Sequence, residues 1–172
     1  SLLSLIYMVF FIPKFTYIKN RILSFFNPND GTHNFQSDKA IDAISSGGYF
    51  GKGIGEGTLK NRVPEAHTDY IISIISEEFG VVAIMLLLIL FLFFIYMVFK
   101  KIYLEKNEKI KLILTGTVCL IIFQALIHIG VNIRLFPTTG MTLPFLSYGG
   151  SSILGVSILS GVILNLTKRK ID

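Results

Sequence analysis

The sequence predicts an all-α fold: a polytopic bundle of membrane-spanning helices, incomplete in itself, with one large loop outside the membrane. Three observations predict it. Residues 79–99 carry no charged side chain, and a run of that length crosses a hydrocarbon core, which takes roughly 20 apolar residues. Hydrophobic residues make up 52% of the 172-residue chain and charged residues only 16%, against about 25% charged in soluble domains. Further apolar runs recur along the chain, separated by polar or basic connections.

Taken in order, residues 1–17 read as the end of one span. No charged n-region or cleavage site marks the opening apolar run, Leu2 to Ile12, as a signal peptide. The chain is expected to be the C-terminal part of a longer membrane protein. Residues 18–69 form the large loop, and 70–99, 112–133 and 143–166 are the remaining spans. Lys100, Lys101, Lys106, Lys109 and Lys111 link the second span to the third, and Lys168, Arg169 and Lys170 follow the last. A hairpin of the last two spans puts both clusters on one side, and short basic loops favour the cytoplasm. The C-terminus is therefore expected in the cytoplasm and the loop outside. The net charge of +5 reads as topology and anionic lipid contact rather than nucleic-acid binding. Cys119, the one cysteine, lies in an apolar run and reports no redox compartment.

The loop has internal organisation. Asn27-Pro28-Asn29-Asp30-Gly31 is a turn signal. Gln36–Ser46 reads as a short amphipathic helix able to lie on the membrane face, ended by Gly47-Gly48. Gly51, Gly53, Gly55 and Gly57 then alternate with other residues. Such a run is a flexible turn or a backbone that approaches a phosphate. It follows no strand, so it is not a dinucleotide fingerprint. Lys52, Lys60 and Arg62 make a diphosphate the natural ligand under the second reading.

Pro64-Glu65-Ala66-His67-Thr68-Asp69 carries acids to the edge of the apolar run. Pro64 suits a first helical turn, and a helix continuing into the span puts Glu65 and Asp69 on one face. Asp69, Ser73, Ser76 and Gly80 then form a small polar stripe, with Glu77 beside it. Lipid rejects such a stripe, so it should face the bundle interior, and acids entering a membrane are functional-site candidates. For Glu77 and Glu78, pairing with Lys or Arg is an equal reading. Gln124 and His128, one turn apart, read as interhelical hydrogen-bonding groups. Pro137-Thr138-Thr139-Gly140-Met141-Thr142-Leu143-Pro144 interrupts the apolar pattern and leads into Phe145-Leu146-Ser147-Tyr148-Gly149-Gly150-Ser151-Ser152. Ser147, Ser151 and Gly155 recur every four residues, which reads as close helix packing or as a polar lining for a lipid headgroup. No His, Cys and acid cluster has metal-ligand spacing, and no nucleophile–base pair stands out.

Together, PEAHTDYIISIISEEFG, the alternating glycines before it and FPTTGMTLPFLSYGGSS resemble the C-terminal half of the SEDS family (shape, elongation, division and sporulation proteins). The likeness runs from about Phe25 to Leu166. Gly140-Met141-Thr142-Leu143-Pro144 is closer to the division branch than to the elongation branch, which usually has a second proline near Thr142. The resemblance implies a fold of about ten spans in the bacterial cytoplasmic membrane, at the division septum. It implies a peptidoglycan glycosyltransferase that polymerises lipid II beside a class B penicillin-binding protein and other division proteins. It implies Asp69 as general base, with Glu65 as helper. Substrate contacts are expected from Lys52, Lys60, Arg62, His67, Ser147, Tyr148 and Ser151. Structural motif positions are Gly51, Gly53, Gly55, Pro64, Pro137, Gly140, Pro144, Gly149 and Gly150. A divalent cation, magnesium or manganese, is left open. Phe50, His128 and Arg134 depart from the pattern, which often has Trp, Asn and a Gly-rich turn there. The rival classes are a lipid II flippase or proton-coupled carrier, and a non-catalytic division scaffold.

Overall fold

The computed structural model describes residues 15–26, 31–63 and 66–168. The first expected span therefore lies almost wholly outside the described residues, as do Pro64 and Glu65. The described residues form α1 (Thr16–Phe26), α2 (Gly31–Gly47), α3 (Leu59–Arg62), α4 (Ala66–Asp69), α5 (Ile71–Leu104), α6 (Glu108–Asn132) and α7 (Gly150–Thr167). Of these, α5, α6 and α7 are long and apolar enough to cross a membrane.

The connection between α5 and α6 is short because both ends are sharply defined. Glu105 turns extended after α5. Asn107 caps α6, its side chain accepting the Lys109 N–H, a bond that satisfies one of the orphan amides of a helix start. Antiparallel packing of the three long helices places Lys100–Lys111 and Lys168 at one end, and α2–α4 with the 133–149 segment at the other. At the basic end Val98, Leu114, Val118, Ile121 and Ile163 form one apolar core. At the opposite end Ala40, Ala43, Leu59, Val63, Ala66, Tyr70, Ile74 and Val131 form another, joining the loop to the helix ends.

The loop is more helical than expected. α1 occupies its start, and α2 packs on α5. The reason is the size of its buried side chains. Ser37, Ala40, Ala43 and Gly47 are buried while Ile41 is exposed, so α2 presents a face of small residues that lets backbones approach closely. A Cβ on Gly47 would fall 1.9 Å from the Ser76 carbonyl oxygen.

The long helix α5 is not continuous. At Gly80 the backbone adopts φ 79° and ψ −178°. In an unbroken helix the Val81 and Val82 amides would donate to the Glu77 and Glu78 carbonyls. Here the glycine-rich strap takes all four groups. Val81 N–H donates to Gly48 O at 3.0 Å, Val82 N–H to Tyr49 O at 3.3 Å, Lys52 N–H to Glu77 O at 2.9 Å and Gly53 N–H to Glu78 O at 3.1 Å. Buried backbone groups require such partners. The approach explains the glycines: a Cβ on Gly51 would lie 2.2 Å from Glu78 O, and one on Gly80 2.3 Å from Tyr49 O. The start of the alternating glycine run therefore serves the chain's own helix break.

The last span begins later than expected. Residues 143–149 are turns, with Phe145 at φ 68°, and α7 starts only at Gly150. The turn is held by Ser147, whose Oγ accepts the Leu143 N–H at 2.8 Å.

Candidate functional site

The segment carrying Asp69 is built from outside itself. α4 has only four residues, too few to satisfy its own carbonyls. Three successive carbonyls find partners on other elements. Tyr148 N–H donates to His67 O at 3.4 Å. Ser147 Oγ–H donates to Thr68 O at 2.9 Å, and His128 Nε2 meets the same oxygen at 3.4 Å. Asn132 Nδ2 donates to Asp69 O at 3.0 Å. A carbonyl only accepts, so His128 carries its proton on Nε2. That tautomer leaves Nδ1 to accept from the Asn132 amide, 3.4 Å away.

The Asp69 side chain is half-buried. Its Oδ2 lies 3.9 Å from where a Cβ on Gly140 would sit. The Pro137–Gly140 turn is itself tied down, Arg21 on α1 donating to the Thr138 carbonyl at 2.8 Å. Gly140 lines a cavity of about 590 Å³ between α6 and α7, together with Gln124, Thr142, Gly149, Ser151 and Ser152. Its apolar wall includes Leu120, Phe123, Ile127, Val156 and Leu159. Gln124 Nε2 donates to Thr142 O at 2.9 Å and to Ser152 Oγ at 2.9 Å, giving the cavity a fixed polar patch. A chamber with one polar patch and apolar walls suits a ligand with a polar head and a hydrocarbon tail.

Sequence expectations divide into two groups. Asp69, His67, Ser147, Tyr148, Gly140, Gly149 and Ser151 meet at the ends of α4, α6 and α7. Ser147 is buried and bonded to backbone on both sides, so it holds the Asp69 segment rather than facing a ligand. His67 and Tyr148 are exposed. Lys52 and Arg62 line a second cavity of about 260 Å³ with Lys39, Asp42, Ser46, Thr58 and Glu77; Lys60 lies on α3. No residue lines both cavities. Lys52, expected at a diphosphate, instead bonds Glu77 at 2.9 Å.

Glu77 is the organising group there. It is buried, and besides Lys52 it accepts the Thr58 N–H, the Thr58 hydroxyl and the Leu59 N–H, each at 3.0 Å. A carboxylate from α5 thus caps the start of α3. Among the described residues no three of His, Cys, Asp and Glu form a group able to hold a metal ion.

Asn132 was not foreseen. It is fully buried and its side chain meets five groups: the Ser73 N–H and hydroxyl, the Asp69 and His128 carbonyls and His128 Nδ1. The signal was its spacing, four residues past His128 and eight past Gln124 on one helix face, hidden because the reading stopped at the first polar pair.

A profile of the cell cycle protein family of FtsW, RodA and SpoVE matches residues 1–171. The chain is 38% identical over 159 residues to the probable peptidoglycan glycosyltransferase FtsW of Caulobacter vibrioides, covering 91% of this chain and 40% of that protein. It is 38% identical over 160 residues to the FtsW of Enterococcus hirae, with the same coverage. The chain thus spans about 40% of the length of these curated relatives. A chain in a solved peptidoglycan synthase complex, described as coordinating polymerization and crosslinking, superposes with a TM-score of 0.65 at 25% identity, over 99% of this chain and 49% of that one. With nearly every residue matched by the profile, and helices long and apolar enough to span a membrane present in the fold, the chain belongs to the FtsW, RodA and SpoVE cell cycle protein family.

Proposed function

We propose that the whole protein of which this chain is part polymerises lipid II into glycan strands on the outer face of the cytoplasmic membrane during division. Asp69 takes the proton from the acceptor sugar's 4-hydroxyl as that oxygen attacks the donor's anomeric carbon. The bond to the lipid diphosphate breaks in the same step. The diphosphate leaves readily, so no protein nucleophile is required, and base assistance contributes about 10²–10⁴-fold. Glu65 is the helper. His67, Tyr148 and Ser151 are the contacts for sugar and headgroup. Arg62 and Lys60 on α3 are the cations for the departing diphosphate, while the Lys52 charge is balanced by Glu77. The product goes to a class B penicillin-binding protein for cross-linking.

One observation carries this reading. The carbonyls of His67, Thr68 and Asp69 are each held from α6 or the 147–148 turn, and the Asp69 carboxylate lies beside Gly140, a residue that lines the 590 Å³ cavity. Asp69 also precedes α5, so it sits before the apolar span rather than at its middle, where a carrier's acid belongs. The test is the full-length Asp69→Asn protein, reconstituted with its cross-linking partner and labelled lipid II. Polymer should fall at least about 10²-fold with an unchanged thermal midpoint. Wild-type polymer from that variant removes Asp69 from the chemistry. Leaflet exchange without polymer from the unaltered protein replaces the enzyme by a carrier.

A further inference from the structure

Asp69 ends α4, and α5 begins two residues later. Between them Tyr70 has φ −121° and ψ 29°, outside the helical region. In an unbroken helix the Ser73 N–H would donate to the Asp69 carbonyl. The side-chain amide of Asn132 stands in this gap. Its Nδ2 donates to Asp69 O at 3.0 Å, and its Oδ1 accepts the Ser73 N–H at 3.2 Å and the Ser73 hydroxyl at 2.8 Å. Nδ2 also donates to the His128 carbonyl at 2.9 Å. A backbone N–H only donates, so the Ser73 amide fixes which way the Asn132 amide points. Asn132 and Ser73 are both fully buried. Loss of the side-chain amide therefore removes these bonds from a place where Ser73 and Asn132 are closed to solvent.

We propose that Asn132, seconded by Ser73, is the positioning residue for Asp69. An amide group from α6 replaces the peptide hydrogen bond missing at the α4–α5 junction, and so fixes the backbone from which the carboxylate hangs. The inference rests on the base reading above. Asn132 touches no substrate; it acts through Asp69. A tie to the reacting residue's own backbone matters because a displacement of about 1 Å at a reacting group can cost about 10²-fold in rate.

The test uses the full-length protein reconstituted with its cross-linking partner and labelled lipid II. Asn132→Asp keeps the acceptor for Ser73 and removes the donor to Asp69. It should lower kcat about tenfold or more, with KM for lipid II within about twofold. Ser73→Ala removes the hydroxyl alone and should lower kcat about threefold. The double variant should be no worse than Asn132→Asp, since the two residues share one network. A folded Asn132→Asp protein with wild-type kcat overturns the proposal, and so does a parallel loss of kcat and lipid II affinity. If Asn132→Asp does not fold, Ser73→Ala decides, and wild-type kcat in that variant overturns it. Asp69→Asn is measured alongside. If it is active, the base reading fails; if it is inactive while Asn132→Asp is normal, only the positioning role fails.

Discussion

At the scale of single residues, Glu77 shows how little a side chain's identity says about its task. The carboxylate collects a lysine ammonium, a hydroxyl and two backbone amides. Breaking a fully buried ion pair costs about 3–5 kcal/mol. The Lys52 side chain is 35% exposed, so water takes up part of that loss. Glu77→Ala should cost about 2–3 kcal/mol, read as a lower thermal midpoint and as earlier proteolysis within residues 48–62. Arg134 makes a different compromise. It adopts φ 58°, where glycine is at ease, and is retained by an ion pair to Asp38 on α2. Asp69 was legible as a candidate because an acid at the edge of an apolar run is costly and local sequence displays it. Pairing of Glu77 with a basic residue was one reading of the sequence, and Lys52 is that partner; its cap on α3 and the task of Asn132 were not legible, because those partners are brought by folding from 18 to 63 residues away.

At the scale of elements, helix breaks are the informative features. Gly80→Ala forces a Cβ onto Tyr49 O, at 2.3 Å, and strains a φ of 79°. The strained backbone alone costs about 1–3 kcal/mol. Hydrogen exchange should then quicken together at the Lys52, Gly53, Val81 and Val82 amides while the α6 amides keep their protection; unchanged exchange at those four would separate the strap from the break. The apolar helices were legible from composition and length. Their interruptions were not. Nothing in residues 70–99 except one glycine marks a break, and its φ is stable only because a strap from thirty residues upstream supplies the missing bonds. The late start of α7 was half legible. Pro137, Pro144 and Gly149 announced irregular backbone, but the apolar residues between them read as span. The helix of α2 was legible but its packing on α5 was not, for a related reason: its buried face is made of small side chains, which hydropathy does not register.

At the scale of the molecule, the candidate site and the lysine-rich connections occupy opposite ends of the bundle. If the basic end faces the cytoplasm, as short Lys-rich loops favour, Tyr49→Cys in intact spheroplasts should react with an impermeant maleimide and Lys109→Cys should not, with Cys119 replaced in both. The reverse pattern would invert the orientation and set the site inside the cell. Tyr49 is 78% exposed, so accessibility is not limited by burial.

The strap around Gly80 also ties the two halves of α5 together. Its four bonds need both halves of α5, since each half offers only two of the four groups. The strap therefore closes only where both halves present these groups side by side. The same stretch carries Lys52, whose ammonium bonds Glu77 at 2.9 Å, so the backbone bonds and the ion pair belong to one contact. A chain whose span sits out of register with the strap would lack this latch, and the Glu77, Glu78, Val81 and Val82 backbone groups would lose these partners together.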